Sequence, residues 1–487
     1  MSQDGDGEWE AKLSPVGRKA GPIAHPYRDR ASHPPSRAEQ DRSRPSGAAT
    51  PDGVRREKKR KWYSLYDKVF AVQNLQAAWE RVRANGGAPG CDGQTVEQFA
   101  AQAEANLLQL HEHLRAKQYR PRPVKRVWIP KAGGGKRPLG IPTVRDRIVQ
   151  QAVLQVLSPI FEPLFSHASH GFRPERGCAT ALEIVDRALA CGYEWVVDAD
   201  IERFFDSVDH CRVIRLLNEE IADGSVLNLI EAFLKSGVLI GGSEVAATEM
   251  GTPQGGPLSP LLANVYLHPL DVALTEGRFG LVRYADDFVI FTKSRERAAE
   301  ALGVVQTTLA DLQLRLHPEK TRVAALDEGF DFLGYHYFRD GEGRRQKVVS
   351  RKSRGRFHEA IRQRTKRHAG QKRPRPSRCT AAHLRRNQRV QAMVARVNRY
   401  LRGWYGYFHG VRTSWQDHLD DFDRYVRQRL RHAILGRYAK CWWNQLVGNG
   451  LLDQIGLFSL TWRQAAYPSG PLPAPPTAGD PGGSRVR

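Results

Sequence analysis

The chain has 487 residues, 40% of them hydrophobic, and a formal net charge of +23. That length allows two or three domains with cores of their own, and no apolar run approaches the roughly 20 residues needed to cross a bilayer. The charge is unevenly placed: residues 351–440 hold 25 Lys or Arg against 5 Asp or Glu, a net of +20. A basic segment this concentrated, with aromatics interleaved, is the footprint of a polyanion partner, because each neutralised phosphate releases counterions.

Residues 1–57 are rich in Pro, Gly, Ser, Asp and Arg, lack an apolar period, and are expected to be disordered. Met1–Glu10 has neither the basic nor the apolar region of a secretory signal. Six scattered cysteines, Cys91, Cys178, Cys191, Cys211, Cys379 and Cys441, form no CxxC pair. They suggest a reducing cytosol and ordinary small core residues rather than a zinc or disulfide framework. No strongly amphipathic terminal helix accompanies the charge, so no membrane partner is expected.

Helical spacing begins in WYSLYDKVF and NLQAAWERVR, and after the turn NGGAPGCDG another helix is expected over TVEQFAAQAEANLLQLHEHL. VKRVWIP and LGIP flank KAGGGKRP as a hairpin. In RDRIVQQAVLQVLSPIF, Ile148, Val149, Ala152, Val153, Val156 and Leu157 make one helical stripe, read as core. YEWVVDADI reads as a buried strand, VIRLLNEEI and LNLIEAFLKSG as helices, LVRYADDFVIF as a hairpin with a polar tip, and AAEALGVVQTTLADLQLRL as a helix. Strands and helices alternate without a strict βαβ rhythm, so the fold class is α+β. Past Arg351 the chain is helical and basic, with RHAGQKRPRPSR as its most linker-like piece. Val394, Val397, Leu401, Trp404 and Phe408 recur at steps of 3 and 4, with Arg396, Arg399 and Arg402 off that stripe. The tail from Tyr467 is Pro/Gly-rich and read as disordered.

The chemistry centres on acids. Asp286 and Asp287 sit at the tip of an apolar hairpin, where two adjacent carboxylates resist ionising together unless a counter-charge is present. Divalent metal is the usual one. A third acid ends the strand VVDADI, but spacing alone leaves Asp198 and Asp200 open on one strand face, with Asp206 a further candidate. A strand-end carboxylate opposite a hairpin-tip pair can hold two Mg²⁺ ions for phosphoryl transfer.

The ordered blocks GGGKRPLGIPTVRDRIVQQAV, HGFRPERGCATAL, DADIERFFDSVDH, GTPQGGPLSPLLANVYL, YADDFVIF, LHPEKTR and FDFLGYHY strongly resemble a bacterial group II intron-encoded reverse transcriptase, over roughly residues 60–460. The resemblance implies a right-hand polymerase, fingers and palm over 58–345, followed by a helical thumb or maturase (X) domain over 346–465. It selects Asp200, with Asp286 and Asp287, as the catalytic metal-binding set, and Ile201 as a backbone metal ligand; two Mg²⁺ ions are the implied cofactor, with Mn²⁺ as a substitute. It places Phe205 as the gate beneath the sugar, Lys131 and Arg137 on the incoming triphosphate, Gln254 near the templating pair and Lys320 near the leaving phosphates. The segment RVNRYLRGWYGYFHG resembles the maturase domain, where Arg396, Arg399, Arg402, Trp404 and Tyr405 would grip RNA.

The expected partners are therefore group II intron RNA, an RNA template with a DNA primer, and dNTPs, with a homodimer as the assembly to test. The expected location is the bacterial cytoplasm, at the nucleoid when the enzyme acts on DNA. Residues 466–487 carry no HNH-type endonuclease pattern, so second-strand cleavage is not expected of them. Rival readings are a domesticated relative in phage defence, a CRISPR locus or a diversity-generating element, and an RNA-binding splicing factor with an inactive polymerase. The intact acid set argues against the last.

Overall fold

The structure, a computed structural model, describes residues 61–130, 135–240, 244–246, 250–252, 255–366, 380–409, 416–435 and 447–461. The stretch 1–57, the linker-like RHAGQKRPRPSR, the tail from Tyr467, Lys131 and Gln254 lie outside these residues. The strands in chain order are β1 (Val124–Pro130), β2 (Lys136–Ile141), β3 (Trp195–Asp200), β4 (Val238–Ile240), β5 (Glu244–Ala246), β6 (Gly280–Tyr284), β7 (Asp287–Thr292), β8 (Arg322–Ala325), β9 (Phe330–Phe332), β10 (Tyr335–Arg339) and β11 (Arg345–Val349). The chain forms two compact units. Residues up to Val127, Gly140–His167 and Val208–His268 make one; Trp128–Leu139, Ala168–Ser207 and residues from Pro269 onward make the other.

The first unit is organised by the helix Val144–Phe161, whose expected stripe is buried except for the half-buried Val156. Thr143 starts it by accepting from the Asp146 N–H at 3.1 Å, satisfying a donor that the first helical turn leaves unpaired. Asn74, on the helix Val72–Asn85, donates to the Ala152 carbonyl at 3.1 Å and ties the two helices together. Arg147 donates to the carbonyls of Gly86 and Ala88, each at 2.9 Å, and so pins the Gly-rich turn. The single helix expected over residues 95–114 is instead two, Val96–Ala100 and Ala103–Arg115, broken where Gln102 leaves helical geometry at φ −135. β1 begins here and pairs in parallel with β4, Val124 opposite Val238, while β4 pairs antiparallel with β5.

The second unit contains a four-stranded sheet of order β6–β7–β3–β8. All three neighbouring pairs are antiparallel. Phe288 to Phe291 are fully buried, each side chain contributing about 2 kcal/mol of burial. The helix Arg295–Asp311 covers β3 and β7, and the helix Cys178–Ala190 packs beside β6. A three-stranded sheet, β11–β10–β9, follows. It was not expected from the sequence. Tyr335 and Tyr337 point into the core from β10, while His336 and Phe338 alternate with them on the other face. The basic helices Arg351–Arg364, Gln388–Phe408 and Gln416–Leu435 come next, joined by Phe357, whose ring lies 4.9 Å from Trp404 and 4.6 Å from Phe422. The cysteines correct the expectation of core residues: Cys191 and Cys211 are exposed, and Cys91 and Cys178 only half-buried, all four with free thiols.

Candidate active site

The register of one strand pair assembles the acids. β3 delivers Asp200 at its end, and Asp200 stands directly opposite Asp287, the first residue of β7. Asp287 is also opposite Tyr284, the last residue of β6, so only Ala285 and Asp286 connect the two strands. Two-residue hairpins need a positive φ at the first connecting position, and Ala285 has φ +59. A non-glycine residue held there costs about 1–3 kcal/mol, and such strain persists only where the surroundings enforce it. Asp198 lies two residues before Asp200 on the same strand face, 3.7 Å from Arg322. Asp206 is exposed beyond the turn.

These carboxylates are short of positive charge. Asp287 is exposed at the surface, yet desolvation by the surrounding protein, then repulsion from Asp198, Asp286 and Asp200, pushes it up to about 7, with Lys352 as the opposing cation. Burial also raises Asp286, as does the Asp200 charge, while Arg137 and Arg283 hold it down. Burial lifts Asp198 to about 6 in spite of Arg322. Lys320 forms an ion pair with Asp200. Beside it, Ile201 bridges to Leu316 through the His317 N–H donating to the Asp200 carbonyl and the Glu202 N–H donating to the Arg315 carbonyl, each at 2.8 Å. Neither bond uses the Ile201 carbonyl. Among the described residues no three His, Cys, Asp or Glu side chains close into a formed metal cage. The donor chemistry still fits a hard divalent cation, which takes oxygen ligands and would relieve the clustered negative charge.

Support for the turn comes from residues that the sequence did not mark. Arg283, the residue before Tyr284, is 0% exposed, and so is its partner Asp271 on the helix Ser259–Glu276. Its Nε donates to Asp271 Oδ1 at 2.6 Å, and Nη2 to the other carboxylate oxygen. Its Nη1 donates to the Ala285 carbonyl at 2.9 Å. The backbone of Arg283 accepts from His170 N–H and donates to the Ala168 carbonyl, both at 2.8 Å. Gly171, in that same adjoining segment, has no room for a side chain: a Cβ there would stand 2.3 Å from the Ala285 nitrogen. In the sequence, Arg283 looks like a polar residue on a half-strand, and nothing links it to an acid 12 positions earlier.

The other expected residues divide. Arg137 lies on β2 and acts electrostatically on Asp286. Phe205 is 8% exposed and packs edge-on against Phe204, with ring centres 5.1 Å apart. Lys352 and Arg364 were overlooked, since the many basic residues past 351 hide any one of them. Arg364, Arg396, Arg399, Tyr400, Gly403, Trp404, Tyr407 and Phe408 line an open groove of about 700 Å³. Arg402 instead lies over the Phe458 ring at 5.9 Å. Trp404 and Tyr405 are largely packed inward. They are 8% and 7% exposed, with Trp404 packed on Phe357, Phe408 and Phe422 and Tyr405 against Phe458. Tyr407 and Tyr400 offer the more accessible rings.

Residues 129–337 match the sequence profile of the reverse transcriptase (RNA-dependent DNA polymerase) family, and residues 378–446 that of the group II intron maturase-specific domain. Protein YkfC of Escherichia coli is 36% identical over 293 residues, covering 52% of this chain and 76% of YkfC. The chain belongs to the group II intron reverse transcriptase/maturase family. The group II intron-encoded protein LtrA of Lactococcus lactis is 43% identical over 210 residues, 42% of this chain, so the match spans only about a third of LtrA (34%). A chain of a partial Cas6-RT-Cas1–Cas2 complex is 28% identical over 51% of this chain and 41% of its own, with a TM-score of 0.33, too low to argue from. In this reverse transcriptase/maturase, Asp200, Asp286 and Asp287 fall inside the polymerase match, and Arg396 and Arg399 inside the maturase match. Among its described residues no helix is long and apolar enough to cross a membrane.

Proposed function

We propose that the chain is an RNA-directed DNA polymerase of a group II intron that also binds intron RNA as a splicing maturase. The observation that carries the polymerase reading is the cross-strand pairing of Asp200 with Asp287, with Asp286 at the adjoining two-residue turn. Residues 58–345 would be fingers and palm, and 346–465 the thumb and maturase helices. Asp200, Asp286, Asp287 and the Ile201 carbonyl would hold two Mg²⁺ ions, replaceable by Mn²⁺. Bound there, the ions supply the positive charge that activates a primer 3′-hydroxyl and steadies the leaving pyrophosphate.

The chain's own residues do the rest. Arg137, with Lys131, binds the triphosphate, since fixed cations against phosphate oxygens suit that task. Gln254 would serve near the templating pair. Lys320, ion-paired with Asp200, is the residue to turn toward the leaving phosphates. Phe205 fills the space of a ribose 2′-hydroxyl, and its burial against Phe204 supports a rigid gate. Arg396 and Arg399, exposed on the groove, are the phosphate contacts for template–primer and intron RNA. The place of action is the cytoplasm, at the nucleoid when DNA is the target.

The test is Mg²⁺-dependent cDNA synthesis on an RNA template. Asp286→Ala is expected to abolish extension while leaving RNA affinity within about twofold, since the arginines of the basic groove, Arg396 and Arg399, are untouched. Full extension by that variant would refute the assignment.

A further inference from the structure

The turn that presents Asp286 is clamped from two sides. On one, the Arg283 guanidinium is fully spoken for: two nitrogens grip the Asp271 carboxylate and the third, Nη1, donates to the Ala285 carbonyl at 2.9 Å. On the other, Gly171 lies so close that a Cβ would meet the Ala285 nitrogen at 2.3 Å and the Tyr284 carbonyl carbon at 3.0 Å. A buried ion pair meant only to fill the core has no need of a third donor aimed at a strained turn. A peptide unit is planar, so holding the Ala285 oxygen also fixes the nitrogen and Cα of Asp286.

We propose that Arg283, oriented by Asp271, is a positioning residue for the polymerase reaction: it locks the left-handed Ala285 turn and thereby aims the Asp286 carboxylate toward Asp200. The proposal rests on the polymerase reading above. Asp271 sets the direction of the guanidinium plane, and Gly171 stops the turn from relaxing the opposite way. Reactive geometry is sensitive at this scale, since a shift of about 1 Å can cost about 100-fold in rate.

Removing one member of a buried ion pair leaves the other uncompensated and can prevent folding, whereas replacing both with apolar residues of similar size is often neutral or stabilising. The test is therefore the double variant Arg283→Met with Asp271→Leu, with Gly171→Ala as a second, charge-preserving way to displace the turn. Primer-extension kcat, KM for dNTP, template–primer affinity and the Mg²⁺-induced rise in unfolding temperature are measured for each. The expected result is kcat lower by about 100-fold, template–primer affinity and KM for dNTP near parental, and a diminished Mg²⁺-induced thermal shift. A folded double variant with parental kcat and parental Mg²⁺ response would overturn the proposal, and so would a fully active Gly171→Ala. If the double variant does not fold, Gly171→Ala decides alone. Asp286→Ala run beside them separates the two readings. Extension that survives Asp286→Ala removes the polymerase assignment; extension lost there but kept in the positioning variants removes only the role of Arg283.

Discussion

The β6–β7 turn and the exposed face of the helix Gln388–Phe408 both concentrate charge of one sign, and they hold it in opposite ways. At the turn, Asp286 and Asp287 sit over a buried scaffold in which Arg283, Asp271 and Gly171 leave no slack. On the helix, Arg396 and Arg399 project from an exposed face, while the packing side, Trp404 and Phe408 among it, is an aromatic core. A few carboxylates on a rigid turn make a site in which each atom counts. Guanidiniums on long side chains make a surface in which contributions add and geometry is forgiving.

That contrast can be broken at several points. The largest effect belongs to the turn's partner strand: Asp200→Asn, nearly isosteric, is expected to lower kcat for cDNA synthesis by about 10³-fold, the scale of losing one preorganised electrostatic group. Near-parental turnover would show that the acids are as replaceable as surface charges. On the helix, Arg396→Gln with Arg399→Gln is expected to weaken RNA binding by about tenfold at moderate salt and to shallow the log–log salt dependence by about 0.7–0.9 per lost contact. Arg402→Gln, whose guanidinium lies over Phe458 outside the groove, is expected to have less effect; equal effects of all three would mean diffuse attraction rather than a groove.

Gly403→Leu sharpens the same point without changing charge. A Cβ at Gly403 meets nothing within 4 Å, and replacing a helix-interior glycine gains up to about 1 kcal/mol of stability. A few-fold loss of RNA affinity with an unchanged or raised unfolding temperature is the outcome expected of an obstructed groove. The smallest effect concerns His170, beside the turn. Burial, then the neighbouring cations Arg176, Arg173 and Arg283, lowers it to about 3. Its folded value is below the unfolded one, so the unfolded chain binds the extra proton, and stability falls as pH drops below about 6.5 toward 3. His170→Gln is expected to flatten the decline in unfolding temperature between pH 7 and 5; an unaltered slope would remove His170 as its source.

Much of the fold is written in local patterns. The runs VVDAD and DFVIF are apolar enough to declare β3 and β7, and the stripe on Gln388–Phe408 follows helical steps, so existence and type could be read for both. The sheet β9–β11 carried a fainter signal. YHYFR and RQKVV alternate around a Gly-containing turn, but the charges obscure the period. The choice between Asp198 and Asp200 could not be made from spacing, because both share a strand face and only pairing with β7 brings Asp200 opposite Asp287. Arg283 and Gly171 were beyond reach for a different reason: their meaning lies in a buried carboxylate and a close backbone approach that exist only after distant segments fold. Trp404 falls on the apolar stripe that the sequence already shows, whereas Tyr405 lies one position off it and its burial appears only in the fold.

The order of strands in the catalytic sheet has a consequence for synthesis. β3 lies between β7 and β8, and both neighbours come later in the chain. Asp287 is made 87 residues after Asp200, an interval of about 4–17 s at typical ribosomal rates. Throughout it, the strand that ends in Asp200 emerges with neither flanking partner available. A nascent or prematurely terminated chain that stops short of Thr292 is therefore left without polymerase activity rather than with a weak or error-prone version of it.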